Sequence, residues 1–233
     1  MIFLKEADGG LIDLQDCPEF YEHSKVATNY ATFIVDEINI GHLYDIFFPY
    51  IRNGVILDIG ANVGIFTMHI KSIAKQIYSI EPTPSHFTIL SSVLKAFDVT
   101  NVIPCQCAIS KTTGEMNLYM YDGNSTMNGL MQYSAINQSI AIKAYSLKDF
   151  MDTNGISIVD FIKLDVEGSE KDIFEDETLL SLSERIRSIY VEIHPYPPFN
   201  AEYSRIADIL KSMKYELQTF EKDNHIHAVF ACK

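Results

Sequence analysis

Basic residues are scarce in this 233-residue chain: 18 Lys+Arg stand against 31 Asp+Glu, a formal charge of −13 at pH 7. That balance repels phosphate backbones and anionic lipid surfaces, so neither nucleic acid nor a membrane is the expected partner. No stretch reaches the roughly 18 uninterrupted apolar residues of a membrane helix, and Met1 to Glu6 has no basic region leading into an apolar segment. The expectation is a soluble, unexported, cytoplasmic protein. Cysteine is limited to Cys17, Cys105, Cys107 and Cys232, with no CxxC spacing, which argues against a zinc site or a disulfide framework. Cys105 and Cys107 fall two apart in an expected strand and read as buried, reduced thiols. Internal repeats, low-complexity tracts and charge blocks are also missing. What remains, 47% hydrophobic and 12% aromatic residues, is a globular composition. One α/β domain of this size buries about 70% of its extended surface without needing a disulfide or a structural metal.

Residues 1–50 read as an accessory or cap segment, with a strand pair around Asp8-Gly9-Gly10 and a helical stretch from Tyr30 to Ile51. From residue 51 to 233, β-branched runs alternate with amphipathic segments, the pattern of parallel strands joined by crossover helices. Strands are expected at 55–59, 77–81, 101–108, 161–166 and 189–194. Thr83 is placed to cap a helix that has Pro84 in its first turn and a stripe of Phe87, Leu90, Leu94 and Phe97. Two further strands flank a polar loop, Asp122 to Asn137, and Ser146 with Asp149 resembles a cap. The chain closes on a helix through Ile206 and Leu210, then an antiparallel hairpin turned at Asp223-Asn224.

The strongest local signal is Asp58-Ile59-Gly60-Ala61-Asn62-Val63-Gly64, where a strand becomes a helix. Glycines there permit a tight turn and a close ligand approach. A dinucleotide fingerprint needs glycines where Asn62 and Ile65 stand, and no Lys-Ser or Lys-Thr follows to make a P-loop. Glu81, at the end of the next strand, is placed to accept the hydroxyls of a ribose. With Asp58 ahead of the turn, these residues describe a site for a cationic nucleoside without phosphate. S-adenosylmethionine meets each condition. A nicotinamide-dependent oxidoreductase is disfavoured by Asn62 and Ile65.

The blocks 55–64, Ile80-Glu81-Pro82, Ala108-Ile109-Ser110, 160–170 and Val191-Glu192-Ile193-His194-Pro195 resemble, in order and spacing, the FkbM-type S-adenosylmethionine-dependent methyltransferases. The resemblance implies a class I methyltransferase, Rossmann-like fold, a doubly wound α/β sheet with a C-terminal antiparallel hairpin. It also implies methyl transfer to a hydroxyl of a small molecule, sugar or secondary metabolite. Gly60, Ala61, Asn62, Gly64, Asp58, Glu81, Ala108 and Asp165 are the cofactor-binding set expected on this basis.

Transfer to a hydroxyl needs a base at the strand ends. Strand alternation puts Lys163 and Asp165 on one face, with Glu167 just beyond, and Glu192 and His194 on one face of the next strand. His194 or Asp165 is the expected base, with Glu192 beside them, and histidine is preferred because it titrates near neutral pH untuned. Lys163 should pair with Asp165 or Glu81. Glu167 and Glu170 can equally be a helix start. Asp165, Glu167 and Glu192 offer oxygen ligands, but no metal is expected, and His225 and His227 read as surface residues. A noncatalytic module that binds cofactor or acceptor, and an N-methyltransferase, are the competing readings.

Overall fold

The computed structural model describes residues 2–26, 30–120, 128, 130, 138–194, 201–222 and 225–233. Most of the expected polar loop, the turn at Asp223-Asn224, and Pro195 lie outside the described residues. The chain forms two compact units, Met1–Gln106 and Cys107–Lys233.

In the first unit, β1 (Phe3–Lys5) and β2 (Leu11–Asp13) pair antiparallel. Gly9 takes the left-handed conformation their turn needs, at φ 96°. Helices α1 (Pro18–Val26), α2 (Tyr30–Asn39) and α3 (Phe48–Ile51) follow. The single helical stretch expected from Tyr30 to Ile51 is therefore broken. Ile40 and Gly41 both close back on Asp36 O, and His42 turns left-handed at φ 51°. A Cβ at Gly41 would lie 2.6 Å from Glu37 O, so a side chain there is excluded. Asn39 at the helix end accepts from Lys5 N at 2.8 Å and donates to Phe3 O at 2.6 Å, which ties α2 to β1.

The parallel strands β3 (Val55–Ile59), β4 (Gln76–Ile80) and β5 (Val102–Cys105) pair in that order, connected by α4 (Ile65–Ile70) and α5 (Pro84–Ala96). Ile56, Leu57, Ile77 and Ile80 are buried between the layers, the near-continuous apolar runs that a sheet covered on both faces requires. The first fifty residues pack onto this layer: α1 lies on α5, and β1 on α4. There Ala7 N donates to His69 O at 2.8 Å and Lys71 pairs with Glu6. The buried face of α5 is His86, Ile89, Leu90, Val93 and Leu94. Phe87 and Phe97 sit half-buried at its margin.

The second unit holds two sheets. The strands β6 (Ala108–Ile109), β8 (Gln138–Tyr145) and β7 (Gly114–Met120) form one, ordered β6-β8-β7. The expected strand 101–108 is thus two, β5 and β6, so Cys105 and Cys107 do not share a strand; Cys107 is buried as expected, Cys105 is half-buried, and none of the four cysteines is in a disulfide. The second sheet pairs β9 (Phe161–Leu164) parallel to β10 (Ser188–Glu192). Strand β10 pairs antiparallel with β12 (His225–Cys232), and β12 with β11 (Glu216–Lys222), the expected terminal hairpin. Between them run α6 (Leu147–Thr153), α7 (Glu170–Phe174) and α8 (Ala201–Ser212). Ser146 caps α6 by accepting from Asp149 N at 3.1 Å. Both core strands end earlier than their apolar runs suggest, so Asp165 and His194 lie just past a strand rather than in one. Among the described residues no helix is long and apolar enough to cross a membrane.

Candidate functional site

The first unit builds a glycine cradle. Beyond β3 the chain turns through Gly60 (φ 83°), Asn62 (φ 51°) and Gly64 (φ 89°) before α4 begins. Left-handed backbone is free for glycine and tolerated by asparagine, whose short side chain can bond locally. Here Asn62 Oδ1 accepts from Val63 N at 2.8 Å. A Cβ on Gly64 would meet Leu90 Cδ1 at 2.5 Å, so α5 closes against bare backbone. Gly60 N and Ala61 N both donate to Ile80 O, at 2.9 and 3.0 Å, which fixes the turn to the end of β4.

Glu81 stands at that end. Its Oε2 accepts from Asn62 N and its Oε1 from Thr83 N, both at 2.8 Å. Thr83 therefore occupies the helix-cap position without capping by its side chain; the main chain there is satisfied by Glu81 instead. Two fixed N–H donors leave the carboxylate one orientation, with a second lone pair on each oxygen for a ribose diol. His86 Nδ1 lies 3.7 Å from Oε1, and His23 of α1 meets the His86 ring edge-on at 5.8 Å. Neither histidine is predicted by the apolar spacing of α5. Asp58 is fully buried, and Thr67 donates to its Oδ2 at 2.6 Å while also bonding Ser79 Oγ. Through Oδ2 it thus braces β3, β4 and α4 at the turn. Ala108, in β6 of the second unit, is buried opposite Ala144 of β8.

The second unit gathers ionisable groups where β9 and β10 end. Lys163, buried in β9, donates to Asp165 Oδ2 at 2.9 Å, one of the two pairings expected for it. Glu167 takes a left-handed φ of 50° in the turn before α7, and Gly168 follows at 99°. Gly168 N donates to Glu170 Oε1 at 3.1 Å, and the same oxygen accepts from His194 Nδ1 at 2.8 Å. On its other side His194 Nε2 faces Glu167 Oε2 at 3.4 Å and Asp165 Oδ1 at 3.7 Å. Glu192, the last residue of β10, is hydrogen-bonded to Asp165.

This enclosure changes the proton assignments. Burial alone lowers a histidine, but the bond to Glu170 and the charges of Glu170, Asp165 and Glu167 push His194 up to about 10. It holds its proton at neutral pH, contrary to the expectation that it titrates there untuned. Burial raises Glu167; the charge of His194 pulls it back, Asp165 and Glu170 push again, and it settles at about 7. Burial also acts to raise Asp165, but Lys163 and His194 outweigh it and hold the carboxyl below its ordinary value. Glu170, only 1% exposed, orients the histidine, a role that helix-start spacing did not reveal. Among the described residues, Asp165, Glu167 and His194 each offer one ligand atom within 4.8 Å of the others. His227, expected at the surface, is half-buried, and burial lowers its imidazole.

Comparison with known proteins places this geometry. Methyltransferase 1 of Beauveria bassiana is 28% identical over 162 residues, 60% of this chain and 65% of that protein. The 31-O-demethyl-FK506 methyltransferase FkbM of Streptomyces tacrolimicus is 24% identical over 186 residues, 62% of this chain and 70% of that one. The crystal structure of the methyltransferase FkbM from Methylobacillus flagellatus superposes with a TM-score of 0.54 at 16% identity, covering 77% of this chain and 43% of that chain. The chain therefore spans less than two thirds of the Beauveria protein and under half of the Methylobacillus one. The fold is the Rossmann-like fold of class I methyltransferases. The methyltransferase FkbM domain model matches residues 58–217, more than half of the chain, and the chain belongs to that family.

Proposed function

We propose that the chain is an S-adenosylmethionine-dependent O-methyltransferase acting on a hydroxyl of a small molecule, sugar or secondary metabolite. The observation that carries this is Glu81, locked by Asn62 N and Thr83 N beside a turn of bare glycine backbone. A carboxylate so held accepts two ribose hydroxyls, and the turn lacks the third glycine a pyrophosphate would need. A positively charged methyl donor also suits a chain of formal charge −13, which equally favours a small molecule or glycan over nucleic acid as acceptor.

Methyl transfer is an in-line displacement in which positioning supplies much of the rate, and a hydroxyl must lose its proton as it attacks. Within the cluster of Asp165, Glu167 and His194, His194 already holds its proton and Asp165 is held below the ordinary carboxylate value, so neither is the acceptor at neutral pH. Glu167 is the member that changes charge near neutrality, with Glu170 positioning His194 behind it. Oxygen as acceptor is favoured by the Streptomyces relative, whose name gives a 31-O-demethyl substrate. Isothermal titration tests the cofactor: S-adenosylmethionine and its demethylated product should bind, and comparable or tighter NAD binding would overturn the proposal. A radiolabelled methyl-transfer screen over sugars, alcohols and amines then tests the acceptor, and transfer to amines alone would refute oxygen.

A further inference from the structure

We infer that Asp165 Oδ1, Glu167 Oε2 and His194 Nε2 bind one divalent cation of the hard to borderline class, for which Mn2+ is the probe. The spacing is the first argument. His194 Nε2 lies 3.4 Å from Glu167 Oε2 and 3.7 Å from Asp165 Oδ1. Both are too long for a hydrogen bond, whose N···O distance is about 2.7–3.2 Å. Two ligands each about 2.1 Å from one cation stand roughly 3.0 Å apart at a right angle and roughly 3.4 Å apart at a tetrahedral angle; the Glu167 separation equals the tetrahedral value and the Asp165 separation of 3.7 Å closes to it by a small side-chain shift.

Orientation is the second argument. A ligating imidazole nearly always gives its other N–H to a carboxylate, a backbone carbonyl or water. Here Glu170, outside the ligand set and buried, holds Nδ1 at 2.8 Å and turns Nε2 toward both carboxylates; the cation takes the place of the proton that Nε2 otherwise carries, so binding releases that proton and tightens as pH rises. The third is charge: Asp165, Glu167, Glu170 and Glu192 gather around Lys163 and one histidine, and Lys163 is engaged on the far oxygen of Asp165. Glu170 Oε2 is buried with no hydrogen-bond partner, a further sign that the cluster is short of positive and donor groups. Binding of the cation stands apart from methyl transfer. Only its use, acidifying a hydroxyl that coordinates it, rests on the function proposed above.

The test is electron paramagnetic resonance of Mn2+ titrated with the full chain, paired with calorimetry. The expected result is one Mn2+ per chain, displaced by Mg2+, with nitrogen modulation in pulsed spectra that disappears in His194→Ala. Asp165→Asn and Glu167→Gln should weaken binding at least about tenfold, and Glu170→Gln, as an outer partner, by about ten- to a hundredfold. Circular dichroism and a urea midpoint near that of the parent show that each variant is folded. A free Mn2+ spectrum that persists undiminished would overturn the site. So would bound Mn2+ without nitrogen modulation, or with unchanged affinity in both carboxylate variants. Titrating S-adenosylmethionine into the same samples separates the two readings: cofactor binding without Mn2+ binding removes the cation site alone, and the reverse removes the methyl-donor reading alone.

Discussion

The glycine cradle and the carboxylate–histidine cluster solve opposite problems. The cradle is made of main chain: Gly60, Asn62 and Gly64 in left-handed backbone, and N–H groups that fix Glu81. The cluster is made of side chains, with its key bond joining Glu170 to His194 across 24 residues. Backbone constraints select residue type at fixed spacing, whereas a side-chain cluster tolerates many sequences as long as charges meet in space. The first is therefore rigid and readable; the second is tunable.

If that contrast holds, the largest penalty belongs to Gly64→Ala. A left-handed alanine costs about 1–2 kcal/mol, and its Cβ overpacks Leu90 for about 1–3 kcal/mol more. The urea midpoint should fall accordingly, and the double variant with Leu90→Ala should lose less than the sum of the two single losses, because the overpacking is gone; a stability of Gly64→Ala equal to the parent would break the comparison. Next is Glu81→Ala, which removes a charged acceptor worth about 1.5–3 kcal/mol. Calorimetry should show S-adenosylmethionine binding about tenfold to a hundredfold weaker, with unfolding still cooperative.

Glu170→Gln sharpens the contrast from the other side. It keeps shape but removes the charge on Nδ1, so the imidazole of His194 should move down from about 10, read by its proton resonances across a pH series. An unmoved resonance would mean that Glu170 does not hold the ring. The smallest effect is a pH slope. Glu167 sits at about 7 against 4.5, and His194 at about 10 against 6.5. Both folded values are raised, so each contributes stability that is complete below its unfolded value and lost as pH rises through its folded one. Urea midpoints should decline from about pH 4.5 to 7 and again from 6.5 to 10, and Glu167→Gln should flatten the first window only.

Much of this was legible before the structure, for identifiable reasons. The strands β3, β4 and β10 are short runs rich in β-branched and aromatic residues, and the turn after β3 needs glycine where glycine stands. The terminal hairpin followed from two runs with a polar pair between them. What failed depended on context. Gly41 ends a helix that the apolar pattern would continue, because Glu37 O lies where its Cβ would be. The buried face of α5 is rotated from the aromatic stripe, because His86 turns inward toward Glu81 while Phe87 and Phe97 remain at the edge. The bond of Asp58 to Thr67, nine residues on in α4, also depended on the fold and not on the spacing of the turn. Histidine at 194 was readable as a reactive group, but its proton affinity depends on three carboxylates brought together only by the fold.

The amide of Asn39 acts as a substitute neighbour for β1, accepting from Lys5 and donating to Phe3 as an adjoining strand would. A two-stranded ribbon ordinarily invites a foreign chain to extend it through its open hydrogen-bonding groups. Occupying those groups with one side chain closes that route to self-association, so replacing Asn39 with leucine should turn a quiet margin into an adhesive one.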